Sequence, residues 1–123
     1  MIVGLGVDVV DLARFERAVT RTPRLKERLF APDELVVDGR ERAPHSLAAR
    51  FAAKEAVMKA LGATDGVRWH DMRIVADDEG NPDVELIGRA AEIAAARGIA
   101  RLHVSMSHDS GAAIAFVVAE SSP

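Results

Sequence analysis

Asp8 is the only charged side chain in the apolar run Val3-Gly4-Leu5-Gly6-Val7-Asp8-Val9-Val10. Counting every second residue along a strand puts it on the same side as Gly4 and Gly6. That side is nearly bare of side chains, which leaves room for a ligand or metal to approach. A second cluster lies in Ser46–Leu61. At about 100° per residue, Leu47, Phe51, Met58 and Leu61 form an apolar stripe. Lys54 falls inside the stripe and Glu55 at its edge, with Lys59 one turn further on. Burying a charge without a partner costs several kcal/mol, so a Lys-Glu step turned toward the core needs a reason. One reading is an ordinary surface pair of Glu55 and Lys59, worth a few tenths of a kcal/mol. The other is a metal-ligating carboxylate beside lysines that meet an anion. Asp8 and Glu55, in a chain without cysteine, suit a hard cation such as Mg²⁺, which keeps positions open for phosphate oxygens and water.

The third cluster is Ser105-Met106-Ser107-His108-Asp109. A nucleophilic triad is disfavoured, because triad members come from separated segments and neighbours on a strand point to opposite faces. Ser107 and His108 can contact a phosphate, or can simply form a polar strand end. His70 and His103 read as structural or surface residues. No Walker loop is present, and Gly4-Leu5-Gly6 is too short for a dinucleotide fingerprint.

The elements that must position these groups follow from periodicity and punctuation. Met1–Val10 reads as a buried strand and Asp11 as the cap of a helix from Leu12 to about Arg21. On that helix Leu12, Phe15 and Val19 share one face, and Arg14, Arg17 and Arg21 another. Arg24–Phe30 and Pro32–Val37 read as short helical pieces, and Gly39–Pro44 as a loop. Ser46 is the expected cap of the longest helix, Leu47–Leu61, which Gly62 ends. Trp69–Ala76 and Val84–Ile87 read as a hairpin around Asp77–Pro82. An alanine-rich helix over Arg89–Arg97 ends at Gly98, and strands follow over Arg101–Ser107 and Ala112–Ala119. Strands and helices mix without regular βαβ alternation, which points to an α+β fold.

The 123 residues fit one domain, 1–123, whose core is small enough that oligomerisation would help it. No apolar run reaches the roughly 18 residues of a membrane span, and the N-terminus lacks the pattern of a secretory signal. A soluble, cytoplasmic protein is therefore expected. The net charge of −3 argues against non-specific nucleic-acid binding. The charge is uneven, however. Arg14–Arg28 holds six basic residues against Glu16 and Glu27, which suits an anionic partner or a solvated helix face.

The ordered set of motifs resembles a known family. Gly4-Leu5-Gly6-Val7-Asp8 through Arg14, Phe30-Ala31-Pro32-Asp33-Glu34, and Arg50-Phe51-Ala52-Ala53-Lys54-Glu55-Ala56-Val57-Met58-Lys59 are similar to its signatures. Trp69-His70-Asp71, Gly80-Asn81-Pro82 and Val104–His108 follow in order. The family is the holo-acyl-carrier-protein synthases, the short type of 4′-phosphopantetheinyl transferase, and the resemblance spans the chain. The chain departs from the pattern at Asp109, where many members carry Thr, and at Gly111-Ala112-Ala113, where an aromatic is often found.

The resemblance implies an α+β, mostly antiparallel sheet packed on a long central helix. It also implies a homotrimer with coenzyme A in the clefts between subunits. Asp8 and Glu55 would ligate Mg²⁺. Lys59 would contact the phosphate that stays with the leaving group. Arg50, Ser107 and His108 would hold adenosine phosphates, some from a neighbouring subunit. Arg14, Arg17 and Arg21 would receive an acidic acyl carrier protein. The implied reaction moves 4′-phosphopantetheine onto a carrier serine in support of fatty acid or polyketide biosynthesis. Glu55, directly or through a metal-bound water, would be the base, with Asp109 as the alternative. Two other classes remain on the residues alone: a metal-dependent hydrolase of nucleotides or coenzyme A, and a non-catalytic trimeric binding module.

Overall fold

The computed structural model describes all residues, 1–123. β1 (Ile2–Asp11) runs into α1 (Leu12–Arg21). Short helices α2 (Leu25–Leu29) and α3 (Pro32–Leu35) and a small hairpin, β2 (Val36–Val37) and β3 (Arg40–Glu41), lead to the 18-residue α4 (Pro44–Leu61). A single 3₁₀ turn, Trp69–Asp71, precedes the hairpin β4 (Met72–Ala76) and β5 (Pro82–Leu86). α5 (Gly88–Ala96) and the long strands β6 (Ile99–Asp109) and β7 (Ala112–Ser121) complete the chain. The main sheet has the order β1-β7-β6 and is antiparallel throughout, as are the two hairpins. This is a mixed fold of antiparallel sheets and helices, as the irregular alternation of strand and helix patterns predicts.

The pairing of α4 with the sheet sets the site. The inward positions of β7 are Ala113, Ala115, Val117 and Ala119, all buried. Across from them α4 presents Ala52, Ala53, Ala56 and Ala60. Small side chains on both surfaces let the backbones approach closely. Gly4 and Gly6 carry this further: a Cβ at either would collide with the carbonyl oxygen of Ala60 or Ala56. The bare side of β1 is thus occupied by the helix backbone itself, and not by a ligand. The glycines act indirectly, by pulling α4 against β1 so that its charged residues stand beside Asp8.

α4 is also less one-sided than its sequence stripe suggests. Leu47, Val57 and Leu61 are buried with the alanines, whereas Phe51 and Met58 are only half-buried. Two cores meet along it. One lies under the sheet, and the other gathers Phe15, Val19, Leu29, Phe30 and Leu47 beneath α1 and α2. Burial on both flanks accounts for the Ala-rich composition, since any larger residue would overpack one side.

Several boundaries differ from the sequence reading for local reasons. α4 begins at Pro44, whose fixed φ suits the first helical position, so Ser46 is not its cap. Val36–Val37 leaves the expected helix to pair with Arg40–Glu41. Asp38 (φ 53°) and Gly39 (φ 76°) form the tight turn between them. Trp69–Asp71 is a 3₁₀ turn and not strand, and β5 starts at Pro82, a strand's first position being one that tolerates proline. The Asp11 carboxylate caps α1 as expected, accepting from the Arg14 amide at 2.8 Å. Gly62 ends α4 at φ 74°. No helix is long and apolar enough to cross a membrane.

Candidate active site

Asp8 on β1 and Glu55 on α4 line one open cavity of about 750 Å³. Its remaining wall is made by Val9, Val10, Asp11, Arg14, Phe15, Ala18, Leu25, Leu29, Phe51 and Trp69. The Phe51 ring stacks at a tilt between Phe15, at 5.7 Å, and Trp69, at 5.3 Å. The cavity thus sets Asp8 and Glu55 against aromatic and aliphatic walls, with Arg14 and Asp11, whose carboxylate is committed to capping α1, also lining it. Sequence patterning does not announce this wall, because α1, α2, α4 and the Trp69 turn each contribute only one to three of its residues.

Lys59 does not pair with Glu55 along the helix surface. Its ammonium crosses to β1, donating to the Val7 carbonyl at 2.8 Å and standing 3.3 Å from Asp8 Oδ1. The simple surface-pair reading is therefore replaced by a contact between elements that the two glycines make possible. Glu55 forms no ion pair. Burial, and next the charge of Asp8, push its pKa up, while Lys59 pulls it back part of the way. The local balance is two carboxylates against one half-exposed ammonium. A divalent cation would relieve the repulsion between Asp8 and Glu55, and an all-oxygen donor pair suits a hard one. No third His, Asp or Glu joins them. A cation there would need further oxygens from a bound phosphate or from water, which is how Mg²⁺ is commonly held beside nucleotides. A second, smaller hollow of about 390 Å³ lies on the other side of Glu55 and Lys59, edged by Met58 and Gly62–Thr64.

Lys54, one residue before Glu55, is fully buried and fully used. It donates to Glu34 at 2.8 Å, the Leu29 carbonyl at 2.7 Å and the Trp69 carbonyl at 3.2 Å. Glu34 in turn accepts from the Ala31 and Ile74 amides. The reason demanded by the Lys54–Glu55 step is thus Glu34, twenty residues away. This cluster pins the Leu29 and Trp69 walls of the cavity to α4.

The remaining candidates stand elsewhere in the chain. Asp8 faces Ala115 and, beyond it, Met106, whereas Asp109 faces Ala112 and, beyond it, Asp11. Two strand spacings, about 10 Å, separate β1 from β6. Ser107, His108 and Asp109 therefore lie across the sheet from the carboxylate pair and do not reach it within one chain. Asp109 is exposed, its carboxylate accepting from the Ser110 hydroxyl at 3.4 Å. His108 packs instead on His45, ring to ring at 4.8 Å. His45 stands in the first turn of α4, the end of the helix that also holds Arg50.

Arg50 donates to the Ser46 hydroxyl at 2.8 Å, and Arg42 approaches the same oxygen at 3.3 Å. Burial, then the Arg42 charge, push Arg50 down to about 10 despite Glu34. Its buried Nε has no acceptor. His70 donates to the Glu27 carbonyl and His103 contacts Glu120, as structural residues would.

On α1, Phe15 and Val19 are buried and Arg14, Arg17 and Arg21 are exposed, none of them ion-paired. Arg14 lines the carboxylate cavity, while Arg17 and Arg21 edge a neighbouring shallow hollow. The basic face is thus continuous with the mouth of the cavity.

Comparison with known proteins places this geometry. Residues 4–117 match the profile of the 4′-phosphopantetheinyl transferase superfamily. A holo-[acyl-carrier-protein] synthase of Leifsonia xyli is 59% identical over 120 residues, covering 98% of each chain. That of Clavibacter michiganensis is 57% identical over 120 residues, covering 98% of this chain and 97% of the relative. Among solved structures, Helicobacter pylori holo-[acyl-carrier-protein] synthase in complex with coenzyme A superposes with a TM-score of 0.81 at 34% identity. The match covers 94% of this chain and 99% of that one. Holo-ACP synthase from Plasmodium yoelii reaches a TM-score of 0.87 at 26% identity, covering 100% and 98%. With near-complete coverage in sequence and in fold, this chain belongs to the holo-[acyl-carrier-protein] synthases of the 4′-phosphopantetheinyl transferase superfamily.

Proposed function

We propose that the chain, acting as a single domain in the cytoplasm, transfers 4′-phosphopantetheine from coenzyme A to a serine of apo-acyl carrier protein. Adenosine 3′,5′-bisphosphate is released, and the holo-carrier serves fatty acid or polyketide synthesis. The observation that carries the site assignment is the Asp8–Glu55 pair, under-compensated by Lys59 at the end of an apolar trough.

Asp8 and Glu55 would hold Mg²⁺, which when bound supplies Lewis-acid polarisation of the pyrophosphate oxygens. The serine oxygen forms a bond to the phosphorus that bears the pantetheine arm, and the anhydride P–O bond breaks toward the adenosine side. Glu55 accepts the serine proton. Lys59, already swung toward β1, stabilises the negative charge that collects on the departing phosphate. Transfer of this kind depends on positioning and charge neutralisation more than on covalent help. The trough of Phe51, Trp69, Leu25 and Leu29 would shelter the uncharged arm, and Arg14, Arg17 and Arg21 would meet the acidic carrier at its mouth.

Arg50, Ser107 and His108 would hold adenosine phosphates, some of them from a neighbouring copy, and Asp109 is the alternative base. The support for self-association is the outer face of the main sheet. Leu5 (57% exposed), Val7 (46%), Val9 (61%), Ile114 (41%) and Phe116 (45%) form an apolar block there. Val7 pairs with Phe116, and Val9 with Ile114. Contiguous apolar surface of this kind marks an interface, and a homotrimer would bury it while bringing the β6 end of one chain to the cavity of the next.

The test is incubation with coenzyme A, Mg²⁺ and apo-carrier, followed by intact mass. A phosphopantetheine-sized mass gain on the carrier, dependent on both coenzyme A and Mg²⁺, is expected. Release of adenosine bisphosphate without any carrier would indicate hydrolysis instead, and binding without turnover a non-catalytic module.

A further inference from the structure

Lys54 is the one basic side chain that is fully buried, and its partner Glu34 is buried with it. Stability alone does not call for such a pair, since apolar residues of similar volume commonly hold a fold as well or better. What an apolar side chain cannot supply is three directed N–H donors. Lys54 spends all three, on Glu34 at 2.8 Å, the Leu29 carbonyl at 2.7 Å and the Trp69 carbonyl at 3.2 Å. The Leu29 carbonyl closes α2, where the helix has no donor of its own left for it.

The side chains of the two tethered residues, Leu29 and Trp69, line the cavity that holds Asp8 and Glu55. The Trp69 ring packs on Phe51 at 5.3 Å, and Phe51 lies one turn before Glu55 on α4. His70 contacts the Glu27 carbonyl at 2.6 Å and so joins α2 to the Trp69 turn. Lys54 joins both segments to α4. The turn of helix that carries Glu55 therefore also sets how far the facing wall stands from it. Only Thr22–Arg24 separates α2 from α1, and Arg14 of the basic face lines the same cavity as Leu25 and Leu29. A shift of this wall is thus a shift of the surface beside Arg14.

We propose that Lys54, held by Glu34, is a positioning residue for the carrier protein: it fixes the α2 and Trp69 wall against α4 so that the carrier serine enters beside Glu55 in register. The inference rests on the transferase reading above and assigns a role to a side chain that touches neither substrate nor metal. The pantetheine arm is a flexible chain and tolerates a displaced wall. A docked protein meets a rigid surface, where a misplacement of about 1 Å can cost about a hundredfold in rate.

Two variants, Lys54→Met and the double variant Lys54→Met with Glu34→Gln, separate positioning from charge balance. The single variant leaves Glu34 buried without its partner and should unfold more readily. The double variant removes both charges and should recover most of that loss, yet it does not restore the tethers to Leu29 and Trp69. Transfer is followed as mass gain on a tryptophan-free apo-carrier with coenzyme A and Mg²⁺. In both variants KM for the carrier should rise about tenfold while KM for coenzyme A stays within about twofold. Calorimetric binding of adenosine 3′,5′-bisphosphate should keep its wild-type stoichiometry, which a partly unfolded sample could not. Trp69, the only tryptophan, should emit at longer wavelength in both as its wall loosens. A double variant with the wild-type carrier KM overturns the proposal, as does an equal rise in both KM values. Should neither variant fold, the wild-type emission decides: apo-carrier should shift it and adenosine bisphosphate should not, and a carrier that leaves it unmoved overturns the proposal. If the wild-type enzyme shows no transfer at all, the transferase reading fails, yet the Trp69 emission of the variants still decides whether Lys54 holds the wall.

Discussion

Two lysine–carboxylate pairs leave the same helix five residues apart and end in opposite electrostatic conditions. Lys54 and Glu34 are both buried, and every strong donor of the ammonium and each oxygen of the carboxylate has a partner. Lys59 and Asp8 meet at 3.3 Å with the lysine half-exposed, and Glu55 beside them has no ion-pair partner. A saturated pair has nothing left to offer a ligand and holds structure together. An unsaturated one stores repulsion that a bound cation and phosphate can relieve. The difference separates scaffold from site without reference to what either sequence motif is called.

The comparison can be broken from the scaffold side first. Lys54→Met should destabilise the fold by about 3–5 kcal/mol, because it leaves the Glu34 carboxylate buried and uncompensated. Denaturant unfolding would show it, and a loss below 1 kcal/mol would mean that water reaches the pair. Gly6→Ala comes next. Its methyl group meets the Ala56 carbonyl, so β1 must move off α4 at a cost of about 1–3 kcal/mol. Transfer should fall further than stability alone explains, since Asp8 and Lys59 separate.

Charge reversal on the outer face is a gentler test. Arg14→Glu with Arg17→Glu should raise KM for the carrier about tenfold or more while leaving KM for coenzyme A in place. An unchanged carrier KM would show docking elsewhere. The smallest expected effect is the most diagnostic of stored repulsion. Glu55 holds its proton more tightly folded than unfolded, so its ionisation destabilises the fold as pH rises from the unfolded value, about 4.3, through the raised folded one. Glu55→Gln should therefore melt slightly higher than wild type at pH 7, with the gap closing toward pH 4. A lower midpoint at pH 7 would mean that Glu55 is stabilised by partners, as in the scaffold pair.

Much of the site was legible because its members sit in local patterns. An acid alone in an apolar strand, and Glu55 with Lys59 one turn apart, can be read from spacing. So can the Asp11 cap, the two faces of α1 and the Gly62 stop. What escaped was non-local. Glu34 lies twenty residues from Lys54, and nothing in Phe30–Glu34 says which charge it will meet. The two glycines look like space for a ligand until α4 is seen filling it. The Val36–Val37 hairpin is the exception, a local Asp38-Gly39 turn signal that the helical reading passed over, whereas His45 has no pattern of its own before β6 folds back against α4. Periodicity reports which way a side chain faces. The partner it faces is set by packing.

The central claim is that Asp8 and Glu55 act together on one phosphate-bound cation. The rate of mass gain on apo-carrier by Asp8→Ala, with its folding checked by an intact cooperative thermal transition, tests this most directly. The account predicts a fall of about a thousandfold or more at saturating coenzyme A and Mg²⁺. A folded Asp8→Ala enzyme working within tenfold of the wild-type rate would contradict it.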